Sequence, residues 1–192
     1  MFYVLEHLEP RLYKWCQLEY EHISRIIGKE KLIFTNVKTS SQKIKLEKLG
    51  KVEKNSVVNL GLETKKICIL DPFAPKTLTS EDRKIFDYFI FGGILGDYPM
   101  RARTKEELSS KLQGAETRNI GKEQMPTDNA FYVVKEIIEH GKKLEELKFK
   151  DSPELEVKEG ESIVMPFRYV IVNGKILMSK KLEHFLKTKK GF

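Results

Sequence analysis

The chain has 192 residues, of which 40% are hydrophobic and 33% charged, and its formal net charge is +7. This length suits one globular domain, and the apolar fraction is too high for an intrinsically disordered chain. No apolar run approaches the roughly 20 residues that cross a bilayer, and Glu6 and Glu9 interrupt any apolar core of a signal peptide. We therefore expect a single domain over residues 1–192, located in the cytoplasm and without a membrane partner.

The first half of the chain alternates strand and helix patterns. Helical spacing of apolar residues follows Pro10 and ends at Gly28, and Ser40 or Ser41 is placed to cap a second helix that ends near Gly50. Thr79 and Asp82 resemble a capping signal for a short helix. Short apolar runs predict strands at residues 2–5, 32–35 and 66–70.

The second half continues this alternation. An apolar strand, 88–91, ends at two glycines, and a weak strand is predicted at 116–120. Thr104 with Glu107 fits a capping box, and Thr127 or Asp128 caps a helix that Gly141 closes. Asn173-Gly174 is a common type I′ turn pair, so a hairpin is predicted within 163–192, followed by a helix that Ser179 caps.

The alternation predicts an α/β fold, with a mostly parallel sheet and helices on both faces. In such sheets ligands bind beyond the carboxyl ends of the strands, so the loops that leave those ends are the places to look. No metal site is predicted, because the sequence has no C-x-x-C pair and its four histidines lie far apart. The two cysteines, Cys16 and Cys68, suit a reducing compartment.

Charge is unevenly distributed along the chain. Residues 38–54 hold six lysines and two glutamates, and residues 179–192 hold five lysines and one glutamate. These basic patches fit a phosphate backbone or an acidic protein, or they are ordinary solvated surface. Residues 144–162 are acidic, and we interpret them as an insertion or a loop.

Three loops carry the candidate chemistry. The first, 70–75, holds Asp71 between a strand and two prolines, and Asp71 is either a site residue or a local turn cap. The second, 91–99, has three glycines within five residues, which bring backbone close to a ligand or form a tight turn. The third, 118–127, is more polar than a plain connection needs.

Together these loops resemble a known family. The runs FGGILGDYP (91–99) and GKEQMPTD (121–128), supported by LDPFAPKTLTSED (70–82) and VMPFRYV (164–170), are similar to the SPOUT methyltransferases. The resemblance is strongest to the small branch that includes a yeast ribosomal-protein arginine methyltransferase and its archaeal relatives. It covers nearly the whole chain.

The resemblance implies a deep trefoil knot in the C-terminal part of the sheet and S-adenosylmethionine bound by the three loops. It also implies a homodimer, as is usual in the superfamily, although a monomer is compatible with the sequence. The cofactor-binding residues that it implies are Leu70, Asp71, Pro72, Phe73, Gly92, Gly93, Ile94, Leu95, Gly96, Asn119, Ile120, Gly121, Gln124, Met125 and Thr127.

The catalytic residues that we infer from the same resemblance are charged. Asp97 is expected to act as a base or orienting carboxylate, and Glu6 as a second carboxylate for an arginine guanidinium. Their alternatives are a turn-stabilising aspartate and a surface charge. Arg101 is the third expected catalytic residue. Arg101 and Arg103 are expected to bind an RNA phosphate, an acidic protein segment or the cofactor carboxylate, unless they are ordinary surface. Arg168 is expected to form a structural ion pair.

The leading hypothesis is therefore a methyltransferase of a ribosome-associated substrate, with a ribosomal protein arginine favoured over an RNA base. A non-catalytic RNA-binding module is the competing class. Net charge does not separate the protein and RNA substrates, because ribosomal proteins lie on RNA.

Overall fold

The computed structural model describes residues 1–93, 103–158 and 160–188. The α-helices are α1 (Lys14–Ile27), α2 (Ser40–Leu46), α3 (Thr127–Ile138) and α4 (Lys180–Thr188). The strands are β1 (Phe2–His7), β2 (Leu32–Thr35), β3 (Lys51–Val52), β4 (Ile67–Leu70), β5 (Tyr88–Gly93), β6 (Glu116–Arg118), β7 (Phe149–Asp151), β8 (Glu154–Lys158), β9 (Glu161–Val164), β10 (Arg168–Val172) and β11 (Lys175–Ile176). Short helical turns are Lys29–Lys31, Val57–Asn59, Thr64–Lys66, Ser80–Lys84, Lys105–Ser109 and Leu144–Glu146. In these ranges no helix combines the length and apolar character that a bilayer span requires.

A six-stranded sheet forms the centre of the molecule. Its strand order is β3-β2-β1-β5-β4-β6, and every neighbouring pair is parallel. The predicted α/β class with a mostly parallel sheet is thus confirmed. In this register Glu6 lies between Thr35 on β2 and Gly92 on β5, and His7 lies beside Gly93. The trefoil knot stays a prediction.

Both faces of the sheet are buried, because alternate side chains of each strand point to opposite sides. On one face Tyr3 and Phe91 pack with residues of α1 and α3, and the ring of Phe131 from α3 stacks on Phe91 at 3.7 Å between centroids. On the other face Val4 packs in one cluster with Val57 and Leu108, which belong to short helical turns. Helical segments thus cover both faces, as predicted, and those that the described residues place on the second face are short.

The C-terminal part adds antiparallel strands. β7, β10 and β11 form a three-stranded sheet, and β8 and β9 form a hairpin. The acidic segment 144–162, interpreted as an insertion or loop, therefore contains strands. Its glutamates alternate with half-buried Leu155 and Val157, which is the period of a strand with one solvated face. The predicted hairpin at Asn173-Gly174 is confirmed, with φ values of 51° and 77° at the two turn residues.

Two helices begin at other residues than predicted. α1 begins at Lys14 rather than near Pro10, because Tyr13 still has extended backbone. α2 is capped by Thr39, not by a serine. The Thr39 hydroxyl accepts from the Gln42 N–H at 3.2 Å, and Gln42 Oε1 accepts from the Thr39 N–H at 3.1 Å.

The predicted capping box at Thr104 is wrong. Thr104 has helical backbone and makes no capping hydrogen bond, and the turn after it is wide, since the Ser110 N–H donates to Lys105 O at 3.0 Å. Pro126, rather than Thr127 or Asp128, occupies the capping position of α3. Proline has no side-chain acceptor for the first N–H groups of the helix, so Pro126 gives α3 no side-chain cap.

Candidate cofactor and substrate site

The predicted loops leave neighbouring strands at one edge of the sheet. β1, β5, β4 and β6 lie side by side, and they end at His7, Gly93, Leu70 and Arg118. Carboxyl ends of parallel strands meet at a common edge, where α/β proteins bind their ligands. The structure therefore brings the first and third loops together with the start of the second, and Glu6 lies at the same edge.

The first loop is fixed by Asp71. This buried carboxyl accepts hydrogen bonds from the Phe73 N–H at 2.9 Å and from the Ser109 hydroxyl at 3.3 Å. The Asp71 N–H donates to Arg118 O at 2.9 Å, so the loop starts alongside β6. The Asp71 side chain therefore acts as a local turn cap, which was one of the two roles considered for it from the sequence. Asp71 holds the loop in place, and Phe73 keeps 55% of its surface exposed.

The third loop starts at Asn119, whose buried side chain bonds to the first loop. Asn119 Nδ2 donates to Ala74 O at 2.9 Å, and Asn119 Oδ1 accepts from the Thr77 hydroxyl at 3.2 Å and the Gly121 N–H at 3.1 Å. Gly121 has φ of 102°, which favours glycine, and among the described residues a methyl group there would meet the Met125 Cε at 4.0 Å. The loop thus presents open main chain beside an apolar residue.

These loops suit an adenosyl group. Leu70 and Ile120 are buried in one core cluster, and Met125 packs against it, so apolar surface lines the region between the loops. Gly121 allows close approach to the backbone. An apolar slot with adjacent main-chain donors and acceptors is how proteins usually bind such ligands. Gln124 anchors the loop from behind, since its carbonyl accepts from the Arg168 N–H at 2.9 Å.

The second loop is described only at its ends. Gly92 and Gly93 complete β5, but Ile94, Leu95, Gly96, Asp97 and Arg101 lie outside the described residues. Beyond them, Arg103 Nη1 lies 3.4 Å from Glu9 Oε1, and Glu9 keeps only 10% of its side-chain surface exposed. Arg103 therefore contacts a carboxylate just after β1 in this structure, and no role of Glu9 was expected from the sequence.

Glu6 is not a surface charge. It is 1% exposed, and its Oε2 accepts hydrogen bonds from the Val57 N–H at 2.9 Å and from the Thr35 hydroxyl. The surface-charge alternative is therefore wrong, because the strand register places this side chain inside the sheet edge, beneath the turn Val57–Asn59.

Comparison with known proteins identifies the family to which these loops belong. A family described as "Protein arginine N-methyltransferase SFM1-like" matches residues 2–191. The chain belongs to the SFM1-like family. This confirms the family that its loop motifs predicted.

SFM1-like relatives match in sequence and in structure. "Protein arginine N-methyltransferase SFM1" of Saccharomyces cerevisiae (strain ATCC 204508 / S288c) is 38% identical over 184 residues, which are 89% of this chain and 86% of the relative. A crystal structure of yeast SFM1 complexed with SAM matches with a TM-score of 0.89 and 36% identity, over 97% of this chain and 89% of the other. A crystal structure of dual specific Trm10 from Thermococcus kodakaraensis shares the fold, with a TM-score of 0.59 at 15% identity over 76% of this chain and 96% of the other.

Sequence reasoning missed one residue of this SFM1-like site edge, His7. The Thr39 N–H fixes Gln42 Oε1, so Gln42 Nε2 faces His7 Nε2 at 3.2 Å. An amide nitrogen only donates, so His7 Nε2 accepts and the imidazole proton lies on Nδ1, 3.0 Å from the Tyr20 hydroxyl. Burial lowers the pKa of His7, opposed by Glu9, which agrees with a neutral ring. The signal in the sequence was two polar residues directly after the apolar run of β1. We call Glu6, His7, Tyr20, Thr35 and Gln42 the sheet-edge cluster.

A second buried polar group lies between α1 and α3. We call Trp15, Glu19, His22 and Asp128 the helix-interface cluster. His22 Nδ1 lies 2.7 Å from Asp128 Oδ2, and the Trp15 indole N–H donates to Glu19 Oε1 at 2.9 Å. Burial, then the charge of Asp128, raises the pKa of Glu19 to about 8, opposed by the Trp15 hydrogen bond. The sequence did not indicate this cluster, because its members lie on two helices far apart in the chain.

Two further features bear on the expectations. Arg168 forms the predicted structural ion pair: its guanidinium donates to Asp151 at 2.6 and 2.9 Å. Among the residues described, no three or more His, Cys, Asp or Glu side chains are arranged to hold a metal ion.

Proposed function

We propose that this protein is a SAM-dependent methyltransferase that modifies an arginine side chain of a protein. One observation carries the proposal: the loops at the carboxyl edge belong to a fold that matches, along nearly the whole chain, the yeast arginine methyltransferase complexed with SAM. The relative's name supplies the acceptor type.

The cofactor side of the site is formed by the three loops. Leu70, Ile120 and Met125 would contact the adenine, and Gly121 would allow the backbone to approach the ribose. The bound cofactor supplies an activated methyl group, so aligning the acceptor with it accounts for most of the rate. The residues proposed to surround it are Leu70, Asp71, Pro72, Phe73, Gly92, Gly93, Ile94, Leu95, Gly96, Asn119, Ile120, Gly121, Gln124, Met125 and Thr127.

The acceptor side would lie at the end of β1, next to β5. An arginine guanidinium is a cation that carboxylates bind in a forked geometry. Glu6 Oε2 already accepts two hydrogen bonds, so its proposed role is to orient, not to move a proton. Asp97 is the proposed base, and a general base is worth about 10²–10⁴-fold. Arg101 and Arg103 are proposed substrate contacts.

The protein that carries this arginine is proposed to be ribosomal, and the methyltransferase itself is proposed to be cytoplasmic. The patch at 38–54 supports a partner close to RNA, because all six of its lysines are exposed and only Lys43 and Lys51 pair with glutamates among the described residues. The homodimer usual in the superfamily is kept as part of the proposal.

Cofactor binding is tested by calorimetric titration of the purified protein with SAM. Binding heat is expected, and its absence would favour the non-catalytic RNA-binding module. Asp97→Asn is expected to bind SAM normally and to lose turnover; normal turnover would remove Asp97 from the chemistry.

The acceptor is identified with radiolabelled SAM and ribosomal subunits, followed by separate digestion with RNase and protease. Label that survives RNase and is released by protease supports a protein acceptor, and amino-acid analysis should recover it as methylarginine. Label released by RNase alone would replace the arginine assignment with RNA base methylation.

A further inference from the structure

We propose that Asn119 is a positioning residue: its side chain joins the first and third cofactor loops and acts on the cofactor through them. The inference rests on the proposed function, because it assumes that these loops bind SAM. It differs from the sequence-based expectation, in which Asn119 itself contacts the cofactor.

The side chain of Asn119 is already used within the protein. An asparagine amide offers two acceptor and two donor positions. Oδ1 accepts from Thr77 and from Gly121, which fills both acceptor positions, and Nδ2 donates to Ala74 O. Asn119 is 9% exposed. Its carbonyl oxygen therefore has no acceptor position left for a ligand.

The partners of this amide lie where each loop must be fixed. Ala74 ends the segment that contains Pro72 and Phe73, and its carbonyl receives the Asn119 amide. Gly121 lies in the third loop with a left-handed φ of 102°, and its N–H donates to the same side chain. One amide thus sets the spacing between the two loops and the direction in which the third loop leaves β6.

The backbone of Asn119 makes a separate connection. Its N–H donates to Lys76 O at 2.8 Å and its carbonyl accepts from the Leu78 N–H at 2.9 Å, so residue 77 pairs with residue 119 as in a parallel sheet. These bonds do not depend on the side chain. Substituting Asn119 should therefore keep the chain path of both loops and release only the ends that the amide holds.

This predicts a defined binding defect. Asn119→Ala should raise the Kd of SAM about tenfold, because the loops lose one to two hydrogen bonds that keep them ordered. The Kd of SAH should rise by the same factor, because the loops are displaced while contacts to the transferred methyl group are not removed.

A second variant tests the connection from the other side. Thr77 is exposed, and Thr77→Val removes only the hydroxyl that donates to Asn119 Oδ1. It should raise the Kd of SAM about threefold, as expected for one exposed neutral hydrogen bond. In the Asn119→Ala background the same substitution should change nothing, since its partner is gone.

A control separates positioning from general destabilisation. The hydroxyl of buried Ser24 donates to Leu49 O at 2.7 Å, away from the loops. Ser24→Ala should lower the thermal midpoint but leave the Kd of SAM unchanged.

Calorimetric titration of the four variants and the wild type with SAM and SAH decides the matter. Wild-type affinity in Asn119→Ala, or additive effects of Thr77→Val and Asn119→Ala, would overturn the inference and leave the proposed function standing. If Asn119→Ala fails to fold, the Kd of Thr77→Val decides. A wild-type protein that binds neither ligand overturns the proposed function and the inference together.

Discussion

The two buried polar clusters differ in how their charged groups are compensated. In the sheet-edge cluster the Glu6 carboxyl receives a backbone N–H and a hydroxyl, and His7 is neutral with a partner for each ring nitrogen. Hydrogen-bonded polar groups of this kind are tolerated in a core and fix one geometry. A rigid cluster at the carboxyl ends of the strands suits the proposed reaction, because the substrate must be aligned with the methyl group of SAM.

In the helix-interface cluster Glu19 is compensated less completely. Glu19 receives one N–H, from Trp15, and faces the acidic Asp128, which is itself well partnered by His22 and by two N–H groups of Asn129. A buried acid with one donor beside a second acid favours holding a proton instead of a second charge. The same residue type, buried to a similar degree, is thus held by a backbone N–H and a hydroxyl at a strand end, but by a single indole N–H beside a second acid on a helix face.

The largest effect is expected from filling space beside the sheet-edge cluster. A Cβ at Gly93 would lie 2.5 Å from Leu5 Cδ2, 2.6 Å from the Tyr20 hydroxyl and 2.9 Å from the Glu6 carbonyl oxygen. Gly93→Ala should therefore lower the free energy of unfolding by about 3 kcal/mol, measured by urea denaturation. Adding Tyr20→Phe should restore part of this loss, because the hydroxyl is one of the three clashing groups. Unchanged stability of Gly93→Ala would contradict the packing described.

A smaller effect is expected from removing the acceptor of that cluster. Glu6→Met leaves the Val57 N–H buried without a partner and leaves the Thr35 hydroxyl with the Leu5 carbonyl at 3.4 Å, which should cost about 2 kcal/mol of stability. Glu6→Gln is the matched control: its Oε1 can accept both hydrogen bonds, so it should lose less. Equal losses in the two variants would show that hydrogen bonding at Glu6 does not matter.

The helix-interface cluster should respond to pH more than to substitution. The pKa of Glu19, raised to about 8, means that the folded state holds a proton that the unfolded state releases near pH 4. Stability from this group is complete below the unfolded pKa and is lost as pH rises through about 8.

Glu19→Gln keeps an acceptor for Trp15 and cannot ionise. Relative to wild type, the variant should gain about 1 kcal/mol or more between pH 6 and pH 8, measured by denaturant unfolding at both values. Trp15 and Asp128 face Glu19. Cys16, Tyr20 and Tyr169 also interact with its charge, and all of these groups remain in the variant. Parallel stability curves of the two proteins would refute the assignment.

Local signals explain what the sequence predicted well. Gly28, with φ of 91°, and Gly141, with φ of 71°, close the helices that they were expected to close, and Asn173-Gly174 forms its turn. These residues act through their own backbone preferences, which can be predicted from the residue and its immediate sequence neighbours. The loops of the candidate site were found in the same way, since prolines and glycines mark where strands end.

Long-range partners explain what the sequence did not predict. Glu6 is buried because it accepts from Val57, 51 positions away, and His7 is oriented by Gln42, 35 positions away. The Thr104 cap failed for the opposite reason: the local pattern was present, but the turn that follows packs Leu108 into the core and takes a wider geometry. Neither outcome is encoded within a few residues of the site.

The smallest effect is expected at acidic pH. There the stability that the sheet-edge cluster contributes should fall as the pH decreases, whereas that of the helix-interface cluster falls as the pH increases. Burial holds the pKa of His7 below its usual value, against Glu9, while Tyr20 and Gln42 bind its two ring nitrogens. Because the unfolded state takes up a proton first, stability from His7 is complete above pH 6.5 and is lost as pH falls below it.

In His7→Gln, an amide oxygen can replace the Nε2 acceptor without titrating. The wild type should lose stability relative to this variant by less than about 1 kcal/mol between pH 7 and pH 5.5, measured by denaturant unfolding. A constant difference over this range would mean that His7 is not held neutral, and the contrast between the two clusters would then rest on Glu19 alone.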